Sequence, residues 1–200
     1  MRYTGPNNKK ARRYKYSVLE NNKEFIKGKK RITAPGQHGA KHQKLSNYGE
    51  HLYEKQKLRY MYGLSEKQLR NTFLKAQKMS GVLGTDLFVL LESRLDNIVF
   101  RMGIANTRRQ SRQFVNHGHV LVNGKKVDIP SYTVKVNDVI TIKARTKDNA
   151  FIIENLTKAK ENKFVEFDHE TMTGKYLRFP NRDELSGQIN EALVVEFYNK

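Results

Sequence analysis

Hydrophobic positions follow two different periods along the chain. Between residues 50 and 116, apolar side chains recur every three or four positions, which is typical of α-helices. From residue 120 onward they alternate with polar ones in short runs, which is typical of β-strands. Residues 1–48 show neither period and are rich in Lys, Arg, Asn, Gly and Tyr. The pattern predicts an α+β fold that follows an extended basic N-terminal arm.

The first two predicted helices have local start and stop signals. Residues 50–62 form the first helix, and Gly63 ends it as a C-terminal cap. The second begins after Ser65, an N-cap whose capping-box partner is Gln68, and continues to about residue 80. The apolar stripe of this second helix, which we expect to lie in the core, consists of Leu69, Phe73 and Ala76.

Two further helices lead into a β-hairpin. Thr85 is expected to cap a helix that continues to Met102, and a fourth helix covers residues 107–116. Asn123 and Gly124 then lie between two short strands, a pairing that favours a type I′ turn because both residues tolerate positive φ. Further strands are predicted within residues 134–142, 151–154 and 164–167.

Composition excludes several classes of protein. No run of about 18 apolar residues is present and the N-terminus has no apolar signal region, so neither membrane insertion nor secretion is expected, and the protein should be cytoplasmic. The absence of cysteine excludes disulfides, thiolate metal sites and cysteine nucleophiles. The six histidines are expected to pack or to contact a ligand without binding metal.

Charge points to a polyanionic partner. The 38 Lys and Arg residues exceed the 20 Asp and Glu residues and give a net charge of +18. Residues 1–60 contribute +12, residues 61–146 contribute +8 and residues 147–200 contribute −2. A membrane surface fits less well, because it favours one amphipathic basic helix over dispersed patches. We therefore expect a nucleic acid along the first three quarters of the chain.

Arginines in the fourth predicted helix and lysines in the hairpin form the most informative cluster. Arg108, Arg109 and Arg112 lie in the first two turns, where the helix dipole disfavours cations. A contribution to helix stability therefore does not explain why these arginines are there. Binding to phosphate does, because arginine can donate two hydrogen bonds to one phosphate. Lys125 and Lys126 follow the tight turn directly, where they could reach a groove. The alternative is an exposed helix whose arginines are merely solvated.

Longer sequence stretches identify a family. SRLDNIVFRMG followed by TRRQSRQFVNHGHVLVNGKKV resembles the RNA-binding module named after ribosomal small-subunit protein four. That module also occurs in pseudouridine synthases, a tyrosyl-tRNA synthetase and a heat-shock protein. APGQHG with LSNYG, EKQKLRYMYG and the C-terminal INEALVVEFY resemble the bacterial ribosomal small-subunit protein four family itself. The resemblance covers nearly all of the chain.

The resemblance implies a structural constituent of the small ribosomal subunit, present in one copy per ribosome. Such a protein binds ribosomal RNA and nucleates assembly of the subunit body. It also contacts messenger RNA at the entry channel, and it meets ribosomal protein five at an interface that affects translational accuracy. The implied organisation is an arm at residues 1–48, a helical domain at 49–92 completed by 171–200, and an inserted module at 93–170 with a helix-turn-helix, a hairpin and a small sheet.

The resemblance also implies site residues. Lys41 and Lys44 match the basic pair that faces messenger RNA. No metal or other cofactor is predicted, because residues 28–32 lack the cysteines with which some relatives bind zinc or an iron–sulfur cluster. Lys55 and Arg59, which share a face of the first helix, are also expected to bind ribosomal RNA. The residues that match the RNA face of the module are Arg94, Arg108, Arg109, Arg112, Gln113, His117, Lys125 and Lys126.

Two other functions are open from the residues themselves. An RNA-modifying enzyme would need a catalytic domain, but only about 55 weakly patterned residues follow Arg145, and no nucleophile with a base can be assembled. A DNA-binding regulator would also use two helices and a turn. The chain lacks a dimerisation heptad, however, and its long basic arm suits irregular RNA. No catalytic residue is therefore predicted.

Overall fold

The computed structural model describes residues 3–20, 25, 32–41, 44–147, 149–157, 162–185 and 187–199. The helices are α1 (Asn7–Tyr14), α2 (Asn47–Met61), α3 (Glu66–Ala76), α4 (Leu83–Glu92), α5 (Leu95–Arg101), α6 (Arg108–Asn116), α7 (Ala144–Lys147), α8 (Ala150–Thr157) and α9 (Glu191–Asn199). The strands are β1 (Val120–Val122), β2 (Lys125–Lys126), β3 (Val139–Ile142), β4 (Val165–Asp168) and β5 (Thr173–Tyr176). The predicted α+β class is confirmed.

The chain divides into two units. The first unit consists of Met1–Leu87 with Ser186–Lys200, and the second consists of Phe88–Leu185. This division differs from the sequence-based boundaries, which assigned residues 171–200 to the helical domain. The difference arises because β5 pairs with both β3 and β4 and therefore belongs to the sheet of the second unit. Of the predicted returning segment, only the part that contains α9 lies in the first unit.

Local sequence rules account for the helices of the first unit. Ser65 caps α3 by accepting a hydrogen bond from the backbone N of Gln68 at 3.3 Å, and the Gln68 side chain accepts one from the backbone N of Ser65 at 3.0 Å. The predicted capping box is thus present. α2 begins earlier than predicted, because Ser46 accepts from the backbone N of Gly49 at 3.2 Å. The predicted core stripe is buried, with Leu69 0%, Phe73 1% and Ala76 1% exposed.

The C-terminal helix α9 packs against α2. Val194 is fully buried, and the Phe197 ring lies 5.7 Å from that of Tyr48. His51 of α2 is buried, and its Nε2 lies 2.6 Å from Oε2 of Glu196. The apolar C-terminal run therefore covers the core of the first unit.

The prediction of an extended N-terminal arm is wrong for its first part. Residues 7–14 form α1, and Ala11, Tyr16 and Val18 in and after this helix are buried. The Tyr14 ring meets that of Tyr53 edge-on at 4.9 Å. α1 spans 8 residues, too few to establish a helical period in the sequence. Residues 26–31 of the predicted arm lie outside the described residues.

The prediction of a single helix from Thr85 to Met102 is also wrong. α4 begins before Thr85, and the helix is interrupted at Arg94, whose backbone is extended. Arg94 forms an antiparallel bridge with Thr133, and Val134 N donates to Ser93 O at 2.8 Å. Because apolar residues continue at helical spacing through the interruption, the sequence could not reveal it.

The second unit contains a five-stranded antiparallel sheet of order β2-β1-β3-β5-β4. β1 and β2 form the predicted hairpin, in which Val122 pairs with Lys125, and Asn123 and Gly124 have φ of 49° and 76°. The strand predicted at residues 151–154 is wrong, because these residues lie in α8. The core against the sheet comes from α5, α6 and α8, and its central members include Ile98, Val115, Val120, Ile140, Ile152 and Tyr176.

Candidate nucleic-acid interface

Helix α6 has one face in the core and one face in solvent. Thr107 caps the helix by accepting from the backbone N of Gln110 at 3.2 Å. Ser111 and Val115 are fully buried, one helical turn apart. Arg109, Gln113 and His117 follow one another at intervals of four residues, Arg109 half-buried and the other two exposed. They form a polar stripe along α6, because residues four positions apart share a face of a helix.

The hairpin that follows α6 carries two lysines. Lys125 and Lys126 are both exposed in β2. Gly118, at the end of α6, has φ of +70°, and a Cβ atom built there would lie 3.1 Å from the Nζ of Lys126. The Lys126 side chain therefore lies close to the end of α6. We call the surface formed by Arg109, Gln113, His117 and Lys126, together with Lys125, the adjoining exposed residue of β2, the basic face.

Beneath the start of α6, Asp96 binds two arginines. Arg94 donates to Asp96 through Nε at 3.0 Å and through Nη2 at 2.7 Å. Arg112 donates to Oδ2 of the same carboxylate through Nη1 at 3.0 Å. Asp96 and Arg94 are only 5% and 7% exposed. Arg94 thus holds an internal ion pair, although the sequence suggested that it binds RNA.

A second buried carboxylate, Glu92, supports Arg108. Glu92 is fully buried and accepts from Arg101 at 2.9 Å and 2.8 Å. Nη2 of Arg108 lies 3.8 Å from Oε1 of Glu92, and its Nε donates to Oδ1 of Asn97 at 2.7 Å. The Arg108 guanidinium also lies over the ring of Phe100, 4.6 Å from its centroid. We call Glu92, Asp96 and the arginines paired with them the arginine network.

The arginine network corrects one step of the sequence argument. Arg108 and Arg112 were expected to owe nothing to stability, because the helix dipole disfavours cations near the start of α6. Both are paired with buried carboxylates, and breaking a buried ion pair costs several kcal/mol, about tenfold more than the dipole penalty. Glu92 and Asp96, four residues apart beside an otherwise basic stretch, were the signal that could have indicated this.

Lys55 and Arg59 lie in the first unit and make internal contacts. Lys55 is 4% exposed, and its Nζ lies 2.9 Å from Oε1 of Glu66. The same Nζ lies 4.3 Å from the ring centroid of Phe197. Arg59 is half-buried and donates to Leu64 O at 3.3 Å. The structure therefore places Lys55 within the packing of its unit, where it holds α2, α3 and α9 together.

Tyr198 completes this cluster. Its hydroxyl donates to Oε1 of Glu66 at 2.8 Å. The pKa of Tyr198 is raised above its ordinary value, chiefly by burial and also by this hydrogen bond to a carboxylate. The phenol therefore stays protonated and keeps donating to Glu66.

The remaining predicted residues, Lys41 and Lys44, are exposed. Within the described residues, no group of three or more His, Asp or Glu side chains could hold a metal ion. The described helices are all too short or too polar to cross a membrane.

Comparison with known proteins finds two matching families. The S4 domain family matches residues 93–140, which include the whole basic face. The family described as Ribosomal protein S4/S9 N-terminal domain matches residues 2–92. Together the two matches cover more than half of the chain and indicate a structural RNA-binding protein of the ribosome, not an enzyme.

Full-length relatives give the particular family. The chain is 57% identical to small ribosomal subunit protein uS4 of Mesoplasma florum, covering 100% of this chain and 98% of the relative. It is 54% identical to that of Mycoplasma capricolum, with 100% and 97% covered, and 52% identical to that of Streptococcus thermophilus, with 100% and 98% covered. The chain belongs to the bacterial uS4 family, which confirms the resemblance found in the sequence.

Proposed function

We propose that this chain is a structural component of the small ribosomal subunit, in the cytoplasm, and binds small-subunit ribosomal RNA through the basic face. The observation that carries this proposal is the closeness of Lys126 of the hairpin to the end of the stripe on α6, within the residues that match the S4 domain. Arg109, Lys125 and Lys126 supply cations for phosphates, while Gln113 and His117 can also meet base edges. The net charge of +18 supports a polyanionic partner.

The arginine network supports this face from below. A guanidinium whose one edge is bound to a buried carboxylate is held in a fixed orientation, so less side-chain entropy is lost when its outer edge meets a phosphate. Arg112 is half-buried and held in this way by Asp96, whereas the Arg108 side chain is only 9% exposed and donates to Asn97 beside Glu92. We therefore propose that Arg112 contributes both to the fold and to RNA binding, that Arg108 contributes chiefly to the fold and meets RNA only at its small exposed part, and that Arg94 acts on the fold.

The test removes two cations of the basic face. The double variant Arg109→Ala and Lys125→Ala should bind small-subunit ribosomal RNA more weakly in a filter-binding assay. The slope of log affinity against log salt should fall by roughly 0.7 to 0.9 for each lost phosphate contact. Circular dichroism should show an unchanged fold. The control is Lys175→Ala, an exposed lysine on β5, which should leave both affinity and slope unchanged.

Two results would contradict this assignment. If the double variant binds like the control with the fold intact, the basic face is not the RNA surface. If a DNA duplex competes as well as structured RNA, the alternative of a DNA-binding regulator is favoured instead.

We propose further roles on the basis of family membership and of the sequence resemblance. The module predicted at residues 93–170, which the sheet extends by β5, is inserted in chain order between residues 49–92 and the C-terminal segment that contains α9. One copy per ribosome would nucleate assembly of the subunit body at a junction of RNA helices. A contact with ribosomal protein five would influence translational accuracy. The acidic C-terminal quarter, at −2, supports a protein partner there more than an RNA partner.

We also propose that Lys41 and Lys44 contact messenger RNA at the entry channel. Both are exposed, three residues apart, and two mobile ammonium groups can follow a sliding phosphate backbone without reading its sequence. Replacing both with Glu should slow translation through hairpins more than through unstructured messages. The measurement is the ratio of elongation times on hairpin and hairpin-free templates with reconstituted ribosomes.

A matched control tests whether position matters or only charge. Lys75 and Lys78 are likewise exposed and three residues apart, so Lys75→Glu with Lys78→Glu makes the same change in net charge. The control should leave the ratio of elongation times unchanged. An equal ratio for both double variants would show that Lys41 and Lys44 are not entry-channel contacts.

A further inference from the structure

A cavity of about 610 Å³ opens in the second unit at the end of α6. Phe114, His117 and His119 are among the residues that line it. The ring of His119 lies 4.9 Å from that of Phe114 and 6.0 Å from that of His117, and the two histidine rings are inclined by only 21°. His117 is exposed, so part of its ring is accessible to a flat ligand. We call this space the histidine cavity.

Polar groups also line the histidine cavity. Thr146 is buried, and its Oγ1 lies 3.0 Å from Nδ1 of His119, which fixes the orientation of that ring. Asn149 is exposed, and its Oδ1 accepts from the backbone N of Phe151 at 3.0 Å. Its amide Nδ2 is thus the atom that can donate to a ligand. The half-buried Lys143 adds an ammonium group.

This combination of groups suits a nucleobase. A base offers two flat faces for stacking on aromatic rings and hydrogen-bonding atoms along its edge. The volume lies within the range of about 300–1,000 Å³ that is typical of pockets for small ligands. The lysine and the asparagine amide are donors, and they match the acceptor atoms of a base, such as O6 and N7 of guanine.

We propose that the histidine cavity binds one unpaired nucleobase of the RNA, stacked on His117, with its acceptor edge toward Lys143 and Asn149. The proposal rests on the proposed function, because His117 belongs both to the basic face and to this cavity. A paired base in an A-form helix cannot enter, since its faces are covered by its neighbours. The basic face would then bind phosphates along the RNA, while the histidine cavity would fix the register at one unpaired position.

The test separates stacking from charge. His117 is the C-cap residue of α6 with an αR backbone, so replacement should not disturb the helix. His117→Ala should weaken binding to a small-subunit ribosomal RNA transcript by about tenfold and leave the salt slope unchanged, because stacking releases no counterion. His117→Phe keeps an aromatic face and should retain most of the affinity. The control His169→Ala, at an exposed histidine beside β4, should bind like the wild type.

Chemical probing of the bases identifies the ligand directly. The wild-type chain and His117→Phe should protect the Watson–Crick edge or N7 of one unpaired nucleotide, and His117→Ala should leave that nucleotide reactive while other protections persist. A loss of affinity with a lower salt slope and no change at any base would indicate a phosphate contact and overturn the proposal. An unchanged affinity of the His117→Ala variant would also overturn the proposal. Failure of the proposed function gives a different result. In that case the wild-type chain itself would bind small-subunit ribosomal RNA no more tightly than it binds unrelated RNA.

Discussion

Replacing Glu92 with Gln is expected to lower the free energy of unfolding of the second unit by about 3–5 kcal/mol. Glu92 is fully buried and accepts two hydrogen bonds from Arg101, at 2.9 Å and 2.8 Å. The side chains of Arg101 and Arg108 are 13% and 9% exposed. Gln has nearly the same shape but no charge, so the variant leaves these guanidinium groups desolvated without their counter-ion. Such an uncompensated charge accounts for most of the expected loss.

Urea unfolding followed by circular dichroism measures this loss. The matched control is Glu166→Gln, the same change at an exposed position of β4, which should stay within about 0.5 kcal/mol of the wild type. A loss at Glu92 no larger than that of the control would show that water screens the arginine network. In that case the network could not orient Arg108 for RNA.

Elements governed by rules between near neighbours were predictable from the sequence. The capping box of Ser65 and Gln68 and the turn at Asn123 and Gly124 both depend on residues no more than three positions apart. The same reasoning failed where distant residues decide the structure. Arg94 leaves the helical conformation because it bridges to Thr133, a partner 39 positions away that no local pattern reveals.

Burial of charge was the main feature that the sequence did not show. Lys55 satisfies the helical spacing of a basic surface stripe, but its ammonium group is enclosed between Glu66 and the Phe197 ring. Glu66 lies in α3 and Phe197 in α9, so this environment exists only after the helices of the first unit have packed. Spacing along one helix cannot distinguish a lysine that faces solvent from one that faces such a pair.

The candidate site was predictable in part. Arg109, Lys125 and Lys126 stand out as basic residues in a helix and at a tight turn, and the structure places all three on one unit. The histidine cavity could not be predicted in full, because part of its lining comes from residues about 30 positions after His117. The spacing of His117 and His119 around Gly118 was the local sign, since it places two rings beside a change in chain direction.

Replacing Phe73 with Ala is expected to lower the free energy of unfolding of the first unit by about 3–5 kcal/mol. Phe73 is 1% exposed on α3, and its ring lies 4.8 Å from that of Tyr198 on α9. Removing the ring leaves a cavity beneath α9 and deprives Tyr198 of its packing partner, so the hydroxyl is held to Glu66 less firmly. A typical domain is stable by only about 5–15 kcal/mol, so the loss is a large fraction of the total.

The neighbouring residue supplies the control for this variant. Leu74 occupies the next position of α3 but is 46% exposed, so Leu74→Ala should cost less than about 1 kcal/mol. Both variants remove an apolar side chain from the same helix and change its intrinsic helix propensity little. Calorimetry or urea unfolding should therefore separate burial from helix propensity. Similar losses for the two variants would mean that α9 does not close a packed core over Phe73, and that the C-terminal segment is held chiefly by the contact of Glu66 with Lys55 and Tyr198.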